Sequence, residues 1–187
     1  MNPPQTIKMA KKVIDLDGLK VKTNDQSFVQ NQYIHNSLED YGWDEEFLDN
    51  MLYVAEECPK HEWMKDPEIL NNLGIVFTEG VCVDIDMERG IGYFEKAIQK
   101  DDDLARINLA DIYREGRNGI PQDYRRAYKL YRQCGLPYAH FRVGEAFELG
   151  HGVDVELPQA KRFYRLAYSE GYPLAIEKLK TFNFLED

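Results

Sequence analysis

An eight-residue signature occurs three times in the chain, at offsets of 36 and then 34 residues. It reads Leu73-Gly74-Ile75-Val76-Phe77-Thr78-Glu79-Gly80, then Leu109-Ala110-Asp111-Ile112-Tyr113-Arg114-Glu115-Gly116, then Val143-Gly144-Glu145-Ala146-Phe147-Glu148-Leu149-Gly150. Each copy is apolar, small, two variable residues, aromatic, two variable residues, glycine. A second signature follows each first: Gly90-Ile91-Gly92-Tyr93-Phe94-Glu95-Lys96-Ala97, Ala127-Tyr128-Lys129-Leu130-Tyr131-Arg132-Gln133-Cys134, and Ala160-Lys161-Arg162-Phe163-Tyr164-Arg165-Leu166-Ala167. Small and aromatic residues three and four apart share one face of a helix rather than alternating across a strand. The unit is therefore a pair of amphipathic helices. One pair cannot bury its apolar face alone, so the copies must stack.

The punctuation between the signatures agrees. Gly80, Gly116 and Gly150 fall where each first helix ends, as a left-handed terminal residue requires. Asp84 and Asp86, Asp123, and Asp154 and Glu156 precede the second helices, where acids cap free amides. First helices open near Pro67, Pro137 and Pro173, since proline fits an early helical position. Of Asp101, Asp102 and Asp103, the last is the expected cap of the next helix. The second unit loses about three residues before Gly135.

The combined pattern resembles the Sel1-like repeat family, relatives of the tetratricopeptide repeat. The resemblance covers about residues 68–180. In the second copy it rests on Ala105, Leu109, Tyr113, Gly116, Asp123, Ala127 and Tyr131. In the third it rests on Gly144, Phe147, Gly150, Gly152, Val153, Ala160, Phe163, Tyr164, Ala167 and Gly171. The first copy departs most: Val81-Cys82-Val83 replaces the glycine-rich loop, and Gly90 and Gly92 interrupt its second helix. Each interior glycine costs about 1 kcal/mol against alanine unless close packing needs it. The resemblance implies an all-α, α/α solenoid of about three helix-pair repeats, whose role is to bind proteins without catalysis.

Two flanks complete the expected architecture. Residues 67–187 hold the repeats and a final helix around Leu174-Ala175-Ile176-Glu177-Lys178-Leu179-Lys180, which caps the stack. Residues 43–66 form an acidic capping helix and linker, with Phe47, Leu48, Met51, Leu52 and Ala55 at helical spacing. Residues 1–42 form a partly ordered extension, with a short strand or hairpin around Asp17-Gly18 and a helix from Ser27 to Leu38.

Charge then narrows the partners. The net charge is −10. Residues 1–80 carry 7 Lys against 15 acids, and residues 81–187 carry 16 basic residues against 18 acids. The excess concentrates between residues 39 and 68, around Glu45, Glu46, Asp49 and Glu56. Nucleic acid and anionic membrane demand a basic footprint, so neither is the expected partner. The three cysteines, Cys58, Cys82 and Cys134, are widely spaced and odd in number. With no apolar leader, they point to a reducing cytoplasm rather than a disulfide framework.

Catalytic parts are missing. There is no nucleophile elbow, no phosphate-binding loop and no His or Cys at metal-ligand spacing. His61 reads as a surface or capping residue, and His151 as an exposed loop residue. Tyr93, Phe94, Tyr113, Tyr131, Phe147, Phe163 and Tyr164 fall on the repeat's core positions and read as packing. Cys134 aligns with Ala97 and Ala167 and reads as a small buried residue. No cofactor, metal or catalytic residue is expected.

Helix-pair stacks present an extended concave surface, lined in the related families by the first helices. Their variable positions, expected to be exposed, are Asn72 and Thr78, then Asn108, Asp111 and Arg114, then Arg142, Glu145 and Glu148. This mixed-charge groove suits a protein or peptide, bound by a monomeric scaffold or adaptor. The alternative is an immunity protein that neutralises a basic toxin through Glu45, Glu46, Asp49 and Glu56.

Overall fold

A computed structural model describes residues 42–181. Among these residues there are eight α-helices and one 3₁₀ turn, and no strand. The expected hairpin and helix before residue 42 lie outside them. Helix α1 spans Glu45–Glu57, and the 3₁₀ turn spans Glu62–Lys65. The repeats follow as α2 (Pro67–Glu79) with α3 (Met87–Ile98), α4 (Asp103–Glu115) with α5 (Tyr124–Arg132), and α6 (Pro137–Leu149) with α7 (Leu157–Ser169). Helix α8 (Leu174–Thr181) closes the described part.

Most boundaries follow from a residue. Asp44, Asp66, Asp86, Asp102 and Asp123 cap α1 to α5, each side chain accepting from backbone amides of the first turn. The cap of α4 is thus Asp102, not Asp103; Asp103 is the first helical residue and instead accepts from the Gly135 amide at 2.9 Å. Glu156 occupies the cap position of α7 without a side-chain bond. Its carboxylate is one methylene further from the backbone than that of Asp. Gly80, Gly116 and Gly150 end the first helices at φ 73°, 72° and 73°, where a side chain is strained.

The same fastening recurs in every repeat. The amide of the residue capping the second helix donates to the carbonyl of the first helix's aromatic residue: Asp86 to Phe77 at 2.8 Å, Asp123 to Tyr113 at 2.7 Å, Glu156 to Phe147 at 2.9 Å. The small residue of the first helix faces the second aromatic of the second. A Cβ on Gly74 would lie 2.4 Å from Phe94, and one on Gly144 would lie 2.8 Å from Tyr164. Gly90 is also a packing residue, since its Cβ would meet Thr78 at 2.5 Å and the Gly74 carbonyl at 2.9 Å. Gly92 is not, because a Cβ there meets nothing within 4 Å.

The core is continuous through α4. Its Ala105, Leu109 and Ile112 belong to the apolar cluster of α1 to α3, while Ile107 and Ala110 belong to the cluster of α5 to α8. Phe94, Tyr131 and Tyr164 are buried as expected, as are the small residues Ala97, Cys134 and Ala167. Tyr113 is only half-buried. At the N-terminal end, Trp43, Phe47 and Trp63 pack in sequence as tilted rings, with centroids 6.3 and 6.1 Å apart, and cover repeat 1. His61 caps the 3₁₀ turn by accepting from the Trp63 amide.

Candidate partner-binding surface

The first helices carry the residues expected to line a groove, and their fates differ by repeat. In α2, every residue from Ile69 to Thr78 is buried. Asn72 is 0% exposed and Thr78 only 2%, so neither is available to a partner. The cause is coverage: α2 is wrapped by α1, the 3₁₀ turn, α3 and α4. The Thr78 hydroxyl turns inward and donates to the Gly74 carbonyl at 2.9 Å.

Asp111 of α4 is likewise not a surface residue, at 1% exposure. Its carboxylate accepts from the Tyr131 hydroxyl at 2.5 Å, from the Tyr138 hydroxyl at 2.9 Å and from Arg114 Nε at 3.0 Å. A buried carboxylate is tolerable only when so fully satisfied. Tyr131 comes from α5 and Tyr138 from α6, so one carboxylate ties three helices and two repeats together. Burial, reinforced by the Asp111 charge, pushes both phenols well above the ordinary range. Tyr131 packs as its repeat position implies, and its hydroxyl adds a bond that the repeat pattern does not encode.

Beyond Asp111, half-exposed groups take over. Asn108 donates to Asn71 Oδ1 at 2.9 Å across the first repeat boundary. Arg142 pairs with Glu145 at 2.5 Å and lies 4.8 Å from the Tyr138 ring centroid. The Tyr164 hydroxyl donates to Glu148, which also accepts from Lys178 of α8 at 3.0 Å. Burial and the Glu148 charge raise the Tyr164 phenol too. Arg114, Arg142 and Glu145 converge on one cleft between repeats 2 and 3, with Tyr124, Tyr128 and His151 forming its aromatic side. His151 is therefore more than a loop residue: it stacks on Tyr124 at 3.9 Å and 9°. A loop histidine facing the preceding repeat leaves no periodic trace in sequence.

The acidic residues sit elsewhere. Glu45, Glu46, Asp49 and Glu56 are all exposed on α1. Glu56 pairs with Arg89 of α3 at 3.3 Å. Among the described residues, no three His, Cys, Asp or Glu side chains come together as metal ligands. Cys58, Cys82 and Cys134 are free thiols, and burial pushes that of Cys134 up to about 12. Among the same residues, no helix is long and apolar enough to cross a membrane.

The Sel1 repeat model matches residues 67–102, 103–133 and 137–172, more than half of the chain. The chain belongs to the Sel1 repeat family. It is 39% identical over 59 residues to an uncharacterized protein of Neisseria meningitidis serogroup B, a match covering 30% of this chain and 13% of that protein. Its fold resembles a Sel1 repeat protein from Oxalobacter formigenes, with TM-score 0.63, 22% identity, and 73% of this chain and 55% of that one covered. It also resembles a protective antigen of uropathogenic Escherichia coli strains displaying an SLR fold, with TM-score 0.62, 21% identity, and 74% and 29% covered. The chain thus spans little more than half, or less, of each of these relatives. Sel1 repeats are generally protein–protein interaction modules, and the family is typically non-catalytic.

Proposed function

We propose that this Sel1 repeat chain is a non-catalytic adaptor that binds a protein or peptide along the row of first helices. In a superhelical stack that row forms the inner surface. The cleft between repeats 2 and 3 carries this reading, because Arg114, Arg142 and Glu145 stand there half-exposed beside Tyr124, Tyr128 and His151. Charges of both signs backed by aromatic rings suit the backbone and polar side chains of a peptide. Asn108 and Glu148 extend the row on either side. A reducing cytoplasm fits the three free thiols.

The test is replacement of Arg142 and Glu145 together by alanine, with Arg114→Ala as a separate variant because Arg114 also holds Asp111. Binding of the partner captured from native cells is expected to weaken more than tenfold, with the double variant melting within a few degrees of the parent. Unchanged affinity would refute the reading.

A second reading, neutralisation of a basic toxin, draws on the exposure of Glu45, Glu46 and Asp49 on α1. Reversal of these three charges would then abolish binding of a basic partner, and added salt would weaken it. A partner insensitive to both would remove this alternative.

A further inference from the structure

One buried position of the first helix shrinks along the stack. It holds Val76, then Ile112, then Ala146, each just before the aromatic residue of its repeat. Ile112 of α4 joins the apolar cluster of α1 to α3, so it fills the junction between repeats 1 and 2. Helix α6 meets α5 as α4 meets α3, but the Ala146 side chain ends at Cβ. The carbons that Ile112 supplies are missing there. The junction between repeats 2 and 3 opens instead as the cleft described above, about 260 Å³ in extent and continuous with solvent. Ala127 and Ala146, both buried, form its floor. Its aromatic wall is held in place: Tyr124 stacks on His151, and Tyr128 meets the Phe147 ring edge-on with centroids 5.7 Å apart. The charges at its mouth are already matched. Arg142 pairs with Glu145 at 2.5 Å and Arg114 with Asp111 at 2.9 Å.

We propose that this cleft is a socket for one branched aliphatic side chain of the bound peptide: valine, leucine or isoleucine. Resting on the adaptor reading above, this names what the cleft selects. The molecule itself displays the occupant, because the chain places an isoleucine side chain at the equivalent junction one repeat earlier. A recess over two alanines leaves their methyl groups without neighbours on the open side, and a guest side chain of that size restores close packing. Alanine would leave the recess empty. A phenylalanine ring exceeds the space that an isoleucine fills, and the stacked wall does not yield to it. A charged side chain would lose its water without gaining a partner, since the arginines and the glutamate at the mouth hold one another. The cleft therefore selects by shape, and salt is expected to change its affinity little.

Nuclear magnetic resonance on the isotope-labelled full chain tests this, with the N-acetyl N-methylamides of isoleucine, leucine, valine, alanine, glutamate and phenylalanine as probes. The three branched aliphatic probes are expected to shift the amides of Ala127, Ala146 and His151 saturably. The other three are expected to bind about tenfold more weakly or worse. The variant A146I builds the Ile112 side chain into the cleft. It is expected to abolish these shifts and to weaken binding of the partner captured from native cells more than tenfold, while melting at or above the parent. A146V, which copies Val76, is expected to fall between parent and A146I and serves if isoleucine overfills the site. Shifts that are absent or equal for the isoleucine and alanine probes, or an A146I chain that binds the isoleucine probe as the parent does, would overturn the socket. A partner lost by R142A/E145A but kept by A146I would overturn the socket and leave the adaptor reading standing. A partner indifferent to both variants would overturn both.

Discussion

The first helices of repeats 1 and 3 are built from the same code and end in different environments. Asn72 and Arg142 occupy one position of the repeat, Ile75 and Glu145 a second, Thr78 and Glu148 a third. In repeat 1 all three are buried, because the N-terminal cap and the neighbouring helices close over α2. In repeat 3 the same positions keep partial exposure, and Arg142 and Glu145 border a cleft. Repeat 2 is intermediate: Asn108 and Arg114 keep partial exposure, while Asp111 is sealed under two tyrosines. A repeat position therefore becomes a binding position only where no further element covers it. The usable surface drifts toward the C-terminal half.

Substitutions at one repeat position in two environments break this comparison most sharply. Asp111→Ala leaves Tyr131, Tyr138 and Arg114 without their common acceptor, and the expected loss is about 3–5 kcal/mol in urea unfolding. Glu145→Ala, at the same position one repeat on, removes a pair that keeps some contact with solvent, at 17% and 21% side-chain exposure, and is expected to cost about 1.5–3 kcal/mol. Comparable losses at the two sites would erase the distinction.

Within α3 the comparison changes sign. Gly90→Ala forces a methyl against Thr78 and the Gly74 carbonyl, with an expected cost of about 1–3 kcal/mol. Gly92→Ala meets open space and is expected to stabilise by about 1 kcal/mol through helix propensity. The caps differ more gently. Asp123→Ala is expected to cost about 1 kcal/mol, whereas Glu156→Ala, with no cap bond to lose, is expected to leave the melting temperature nearly unchanged.

The smallest signal is spectroscopic. Tyr131, Tyr138, Tyr164 and Tyr172 have raised folded values, so the native state keeps these phenols protonated where the unfolded chain ionises them. Their stabilisation is fully present below about pH 10, the ordinary phenol value, and is lost as pH rises toward the folded values. Titration at 295 nm is expected to show these four phenols ionising only with alkaline unfolding. Ionisation of these four before unfolding would contradict the buried network.

Sequence carried the helix pairs, their glycine ends and their small-to-aromatic packing, because each repeats with the period of the unit. It did not carry features decided by contacts between units. Asn72 and Asp111 share the polar signature of exposed neighbours, and only the covering helices distinguish them. Asp102 and Asp103 are chemically identical candidates for one cap, separated only by where the helix begins. Gly90 and Gly92 looked alike, yet one lies under Thr78 and the other faces open space.

The account turns on which surface meets a different protein. Photocrosslinking in native cells tests this directly, with p-benzoylphenylalanine placed singly at Glu145 and at Glu46. A defined adduct with another protein from position 145, with none from position 46, is the result this account predicts. Foreign adducts from position 46 alone, with none from position 145, would contradict it.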